Sequence, residues 1–281
     1  MTFAIENLFK HSDTIPMLPA NYYNIIAAVN DPDATVHEIA NLISGDVGLT
    51  TKILKLVNSS YFGLSNKVAT ISHSLNILGL KPLGNLVLAS SLMSQFKGIP
   101  EYFVTMESFW SHSVACGIAA REISTMKSLG NGELLYIAGM IHDIGSLVIY
   151  KEYPEKAKTA LTQCNEWGQN LIDSEISALG FEHAQVGSAL IEKWKLPEVF
   201  QETTEYHHQP LNAPFYKEET AIVYLADYIV QSNQLGSSGE IKSYDLDPKV
   251  LKILGLPIKI LPWISERTKI SFEEIYKILA E

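Results

Sequence analysis

Residues 134–150 read LLYIAGMIHDIGSLVIY, and Asp143 is the one charged side chain among them. A carboxylate in so apolar a stretch is expected to be buried. Burial is costly unless the group is paired or holds a metal. No basic residue of the stretch can pair with it. His142, directly before it, supplies an imidazole, a common metal ligand. Two readings stay open: a turn aspartate ahead of Gly145, bonded to backbone, or an aspartate that binds a cation.

The same anomaly recurs at Asp227, inside AIVYLADYIV at 221–230. One alternative there is an aspartate on the solvent face of an amphipathic helix. Five of the eight histidines, His112, His142, His183, His207 and His208, lie in the same half of the chain. Two isolated acids and five imidazoles are explained better together than apart. Such donors fit one first-row transition metal, or two bridged by a carboxylate, with Asp143 the natural bridge. Adjacent His207 and His208 would point about 100° apart on a regular helix. They reach one ion only if the helix ends there, as Pro210 predicts; a surface pair at a helix terminus is the alternative. Taken singly, His112 and His183 read as core histidines. His11, His37 and His73 lack a matching acid and read as surface or structural residues.

Around these stretches the pattern is helical. Thr35-Val36-His37-Glu38 has the form of a capping box. Ile39, Leu42 and Ile43 follow at helical spacing, and Gly45 closes the turn. Ile53, Leu56 and Val57 form another apolar stripe. Ile71, Leu75 and Leu78 form a third, ended by Gly79, and Leu83, Leu86, Val87 and Ser90 a fourth. A break is expected near Lys97–Glu101, with Gly98 and Pro100. The polar run Gln231–Glu240 reads as an exposed loop. Ser271-Phe272-Glu273-Glu274 reads as a second capping box that starts the last helix. No alternating strand pattern and no internal repeat is visible.

The 281 residues amount to two domains or one large unit. Hydrophobic residues at 47% and charged residues at 19% exclude global disorder and low-complexity architectures. The net charge is −10, and residues 106–230, with 8 basic and 17 acidic side chains, carry −9 of it. That segment welcomes a cation and repels a bare phosphate. Nucleic acid is accordingly excluded as a partner. The two cysteines, Cys116 and Cys164, form no Cys-x-x-Cys. They imply neither a disulfide framework nor a thiolate metal site, and read as small core residues. The first thirteen residues do not read as a signal peptide, and no uninterrupted run of about 18 apolar residues occurs. A reduced, cytoplasmic setting away from the membrane is the expectation.

In order and spacing, His112, His142-Asp143, His183, His207-His208 and Asp227 resemble the HD superfamily of metal-dependent phosphohydrolases. The likeness sharpens to the HD-related output domain, HDOD. Ile15-Pro16-Met17-Leu18-Pro19, Asp46-Val47-Gly48-Leu49, Lys52 to Ser59 followed by Tyr61-Phe62-Gly63, and Leu75 to Gly79 resemble that family's helical lobe. His183-Ala184-Gln185-Val186-Gly187, Trp194 to Pro197 and His207 to Pro210 resemble its second half.

The resemblance implies an all-α fold, with an N-terminal helical lobe (1–105) packed on an HD-like metal-site lobe (106–235). A C-terminal helical extension (236–281) resembles nothing nameable. It implies that His112, His142, Asp143 and Asp227 hold one divalent ion, of Fe, Mn, Zn, Ni or Co. Asp143 would bridge to a second ion held by His183, His207 and His208. The related HD-GYP branch hydrolyses cyclic di-GMP. Its lysine after His-Asp-Ile-Gly is Ser146 here, and Gly-Tyr-Pro after the paired histidines is absent. Metal ligation looks retained and phosphate capture lost. The implied function is a metal-binding signalling output module, with a phosphohydrolase of nucleotides or cyclic dinucleotides as the alternative. The implied partner is a signalling protein or a small molecule, with a second copy of this chain as a further candidate.

Overall fold

The computed structural model describes residue 5 and residues 15–280, apart from 94, 97–98, 100, 102–103 and 241–243. His11 and most of the expected Lys97–Glu101 break lie outside the described residues. All regular structure among those described is helical, so the chain is all-α. It divides into two compact units: the described part of 17–96 with 269–280, and the described part of 97–268 with residues 5, 15 and 16.

The smaller unit contains α1 (Ala20–Asn30), α2 (Val36–Ser44), α3 (Val47–Val57), α4 (Ile71–Leu78) and α5 (Leu80–Leu92). The capping box is present: the Glu38 amide donates to Thr35 Oγ1, and the Thr35 amide donates to Glu38 Oε2 at 2.7 Å. Asp46 caps α3 by accepting from the Leu49 amide at 2.9 Å. The stripe residues Ile39, Ile43, Ile53, Leu56, Val57, Ile71, Leu75, Leu83, Leu86 and Val87 are buried; Leu42 is exposed and Leu78 half-buried, at the edges of their helix faces. His37 and His73 are exposed.

The larger unit contains α6 (Met106–Met126), α7 (Gly132–Ile141), α8 (Ile144–Glu152), α9 (Pro154–Asn165), α10 (Leu171–Leu179), α11 (His183–Lys193), α12 (Glu198–Glu205), α13 (Lys217–Ser232) and α14 (Pro248–Leu254). Helices α6, α7 and α13 pack on one another, and α8 packs on α11. Gly132–Glu152, which holds α7 and α8, is long and apolar enough by composition to cross a membrane, though 83% of its most apolar window is buried in this protein's own interior.

Two larger expectations fail. The last helix, α15 (Leu261–Ala280), runs through Ser271 without a break. Ile264, Thr268, Ser271, Ile275 and Leu279 are all buried along it. Their 3–4 residue spacing makes one stripe, so the apolar period overrides the local capping pattern. Glu274 is occupied otherwise, accepting from the amide and hydroxyl of Ser60. The Gln231–Glu240 run is not an exposed loop either. Its first two residues end α13, and Ser238 is buried. Its backbone is tied down: Tyr150 Oη donates to Ser238 O at 2.6 Å, Asn165 Nδ2 to Gly239 O at 2.9 Å, and the Ser237 amide to Ser108 O at 3.1 Å. Polar composition here marks backbone groups that satisfy buried donors, a demand no local pattern reveals.

Candidate metal centre

Every residue of the expected site lies in the larger unit, and its helix ends converge there. His112 sits on α6 and Asp227 on α13. His142 and Asp143 form the turn between α7 and α8, and His183 opens α11. Helix α12 ends at Glu205, so His207 and His208 leave helical geometry as Pro210 requires. One backbone contact sets the centre. A Cβ at Gly145 would collide with His183 O and stand 2.5 Å from the Gly187 amide nitrogen. Only glycine lets α8 lie this close to α11, which carries His183 up to Asp143.

Asp143 stands at the middle. Its Oδ2 is 3.2 Å from His142 Nε2 and 3.5 Å from His112 Nε2. Its Oδ1 is 3.3 Å from His207 Nε2 and 3.4 Å from His183 Nε2. Asp227 Oδ1 is 3.1 Å from His112 Nε2 and 3.6 Å from His142 Nε2. His208 Nε2 lies 2.8 Å from His183 Nε2. All seven expected residues therefore meet in one cluster. Two groups of donors could each hold a metal ion: His112, Cys116, His142 and Asp227, and Asp143, His183, His207 and His208.

The hydrogen bonds fix which ring nitrogen is free. His142 Nδ1 donates to Gly139 O at 2.8 Å, and His207 Nδ1 to Thr204 O at 2.7 Å. A carbonyl only accepts, so Nδ1 carries the proton and Nε2 of a neutral ring presents a lone pair. Those Nε2 atoms are buried without a hydrogen-bond partner, although carboxylate oxygens stand close by. Lone pairs turned on lone pairs in a dry interior repel unless a proton or a metal ion stands between them. The donor set fits a transition metal on this ground.

Electrostatics agree in direction. Burial by itself would raise Asp143, but the imidazole of His142, then the close rings of His112 and His183, hold it well below the carboxylate range. Burial opposes charge on His183 too, yet Glu175 and Asp143 push its pKa well above the usual imidazole value. His207 and His208 are pushed down, first by burial. The carboxylates thus demand positive charge that only some of the imidazoles can carry as protons.

Four neighbours escaped the sequence reading. Glu175, buried on α10, accepts from His183 Nδ1 at 2.7 Å. Gln231 Nε2 donates to both oxygens of Asp227 at 3.2 Å. Tyr244 Oη lies 3.1 Å from Asp227 Oδ2. Cys116 Sγ lies 3.6 Å from His112 Nε2; its i, i+4 spacing from His112 was a signal available in the sequence.

Two cavities reach His208. One, of about 200 Å³, is lined by Asn170, Tyr224, Glu240, Tyr244 and Asp245 among others. The second, of about 240 Å³, is lined by Glu182, Gln185, Glu205, Tyr206 and Gln209 besides His208. Among the described residues no lysine or arginine lines either. Ser146, where the HD-GYP branch has lysine, is buried.

The HDOD domain profile matches residues 15–210. A Treponema pallidum (strain Nichols) protein, itself uncharacterized, is 31% identical over 207 residues, covering 72% of this chain and 39% of that relative. This chain therefore matches well under half the length of that curated relative. The structure resembles an HDOD domain protein of unknown function from Geobacter sulfurreducens: TM-score 0.78, 25% identity, 99% of this chain and 97% of that one. It also resembles two Shewanella amazonensis proteins. One is a candidate phosphohydrolase (TM-score 0.74, 23% identity, 97% of each chain), the other a candidate metal-dependent phosphohydrolase (0.68, 18%, 99% and 98%). With the all-helical fold and the buried histidine–aspartate cluster, the match over most of its length establishes that this chain belongs to the HDOD domain family.

Proposed function

We propose that this protein is a metal-binding regulatory module whose centre keeps the ligands of an HD phosphohydrolase and has lost its phosphate-capturing cation. Bound metal would supply Lewis acidity and a lowered pKa for coordinated water. His112, His142, Asp143 and Asp227 would hold one ion, and Asp143, His183, His207 and His208 the second. The observation that carries the reading is the lining around His208. Glu182, Glu205, Glu240 and Asp245 line the two cavities there, with no lysine or arginine among the described residues. A phosphodiester entering by that route would meet acidic side chains and, among the described residues, no basic one. A signalling protein or a small neutral or cationic molecule is the ligand class that suits such a surface.

The hydrolase reading draws support from one geometric fact: Asp143 turns one oxygen to each histidine pair, the disposition that two-metal hydrolysis uses. The two readings separate in one assay. Protein loaded with Mn²⁺ or Fe²⁺ is offered a panel of phosphodiesters, cyclic dinucleotides included. The regulatory reading predicts no turnover above free metal. Turnover that Asp143→Ala and His142→Ala both abolish would overturn it in favour of an enzyme.

A further inference from the structure

Resting on the metal reading above, we propose that Cys116 is a thiolate ligand of the ion held by His112, His142 and Asp227. The histidine–aspartate pattern assigns this cysteine nothing, yet its sulfur lies inside the centre. Cys116 is completely buried. Its Sγ is 3.6 Å from His112 Nε2 and 3.9 Å from Asp227 Oδ1. One donor atom from each of the four residues lies within 4.8 Å of all the others. At tetrahedral angles around zinc, sulfur–nitrogen edges come to about 3.6 Å and nitrogen–oxygen edges to about 3.3 Å. The sulfur–nitrogen edge here matches, and the nitrogen–oxygen edges of 3.1 and 3.6 Å bracket the second value.

The backbone holds this arrangement in place. His112 and Cys116 are one turn apart on α6 and share a face. A Cβ at Gly139 would stand 2.6 Å from Cys116 O, so α7 abuts α6 at the cysteine itself. The carbonyl of that same glycine accepts from His142 Nδ1. Gly139 thus locates the cysteine backbone and the His142 ring together, at fixed separation.

The ligand changes what the centre accepts. A soft thiolate favours zinc or iron over magnesium, calcium or manganese. With Asp143 Oδ2 as a fifth donor beside those four, the first ion would have no open position. Exchange and ligand entry then belong to the second group, where His208 reaches the two cavities. The alternative is a neutral thiol that donates to Asp227 Oδ1.

The test uses the full, untagged chain reconstituted with Co²⁺, as wild type, Cys116→Ser and Cys164→Ser, with cobalt content measured in each. A sulfur-to-cobalt charge-transfer band in the near ultraviolet is expected in wild type and Cys164→Ser, and absent from Cys116→Ser. The chain has two cysteines, so a band in Cys164→Ser can arise only from Cys116, even if Cys116→Ser does not fold. Bound cobalt without the band would overturn the thiolate assignment and leave the metal reading standing. No bound cobalt in any variant would overturn both.

Discussion

Glu175 grips His183 twice through a single oxygen: Oε2 accepts from the ring Nδ1 at 2.7 Å and from the backbone amide at 2.9 Å. The first bond orients the ring toward Asp143. The second satisfies an amide in the first turn of α11, where no helical acceptor exists. One buried carboxylate therefore holds both the helix start and the imidazole. Replacing it by Glu175→Gln keeps the size and removes the charge. Metal affinity should fall about 10- to 100-fold, as for other groups that orient a ligating histidine. Competition against a chromophoric chelator measures this, and unchanged affinity would remove Glu175 from the centre.

Gly145→Ala tests the contact that seats α8 against α11. The new methyl has only backbone to displace, at His183 and Gly187. Overpacking of this kind typically costs about 1–3 kcal/mol. Urea unfolding should show at least that loss, with weaker metal retention. Gly130→Ala, where nothing lies within 4 Å of an added Cβ, pays only for its positive φ and should cost less.

Glu240 predicts a pH dependence. Burial, then the charge of Asp227, pushes its carboxyl up to about 7 from 4.5. The folded state binds this proton more tightly than the unfolded chain does. Stability from this group is therefore full below about pH 4.5 and is lost as pH rises toward 7. The shift corresponds to about 3 kcal/mol at most. Glu240→Gln should flatten that part of the stability profile in chelator-treated protein, read by urea midpoints from pH 5 to 8. A wild-type slope that the variant reproduces would contradict the assignment.

Thr35→Ala removes the acceptor for the Glu38 amide in the smaller unit. A loss of about 1 kcal/mol is expected, in the usual range for a cap. Thermal unfolding of the variant beside wild type measures it, with metal content unchanged.

The helices were legible because apolar period and capping chemistry are local. Ile39 and Ile43, or Leu83, Leu86 and Val87, declare a buried face without reference to anything distant. The seven cluster residues were legible for a different reason. Asp143 and Asp227 are isolated charges in apolar runs, and such a charge announces its need for a partner. Glu175 and Tyr244 sit in ordinary sequence surroundings, and only the packing of α10 and the chain near residue 244 brings them to His183 and Asp227. Cys116 is buried, as a small core residue should be, but its place beside His112 and Asp227 is not legible from cysteine spacing, because its neighbours are an imidazole and a carboxylate. At Ser271 a four-residue capping pattern points one way and a longer apolar stripe the other, and the stripe prevails.

Elemental analysis of untagged wild type beside Asp143→Ala tests the central claim most directly. Among the described residues Asp143 faces both histidine pairs, so its loss should affect both ion positions. One or two equivalents of a transition metal in wild type, sharply reduced in the variant, is the predicted result. No metal in wild type after reconstitution with Fe²⁺, Mn²⁺ and Zn²⁺ would contradict it, and would make the histidine cluster a purely structural core.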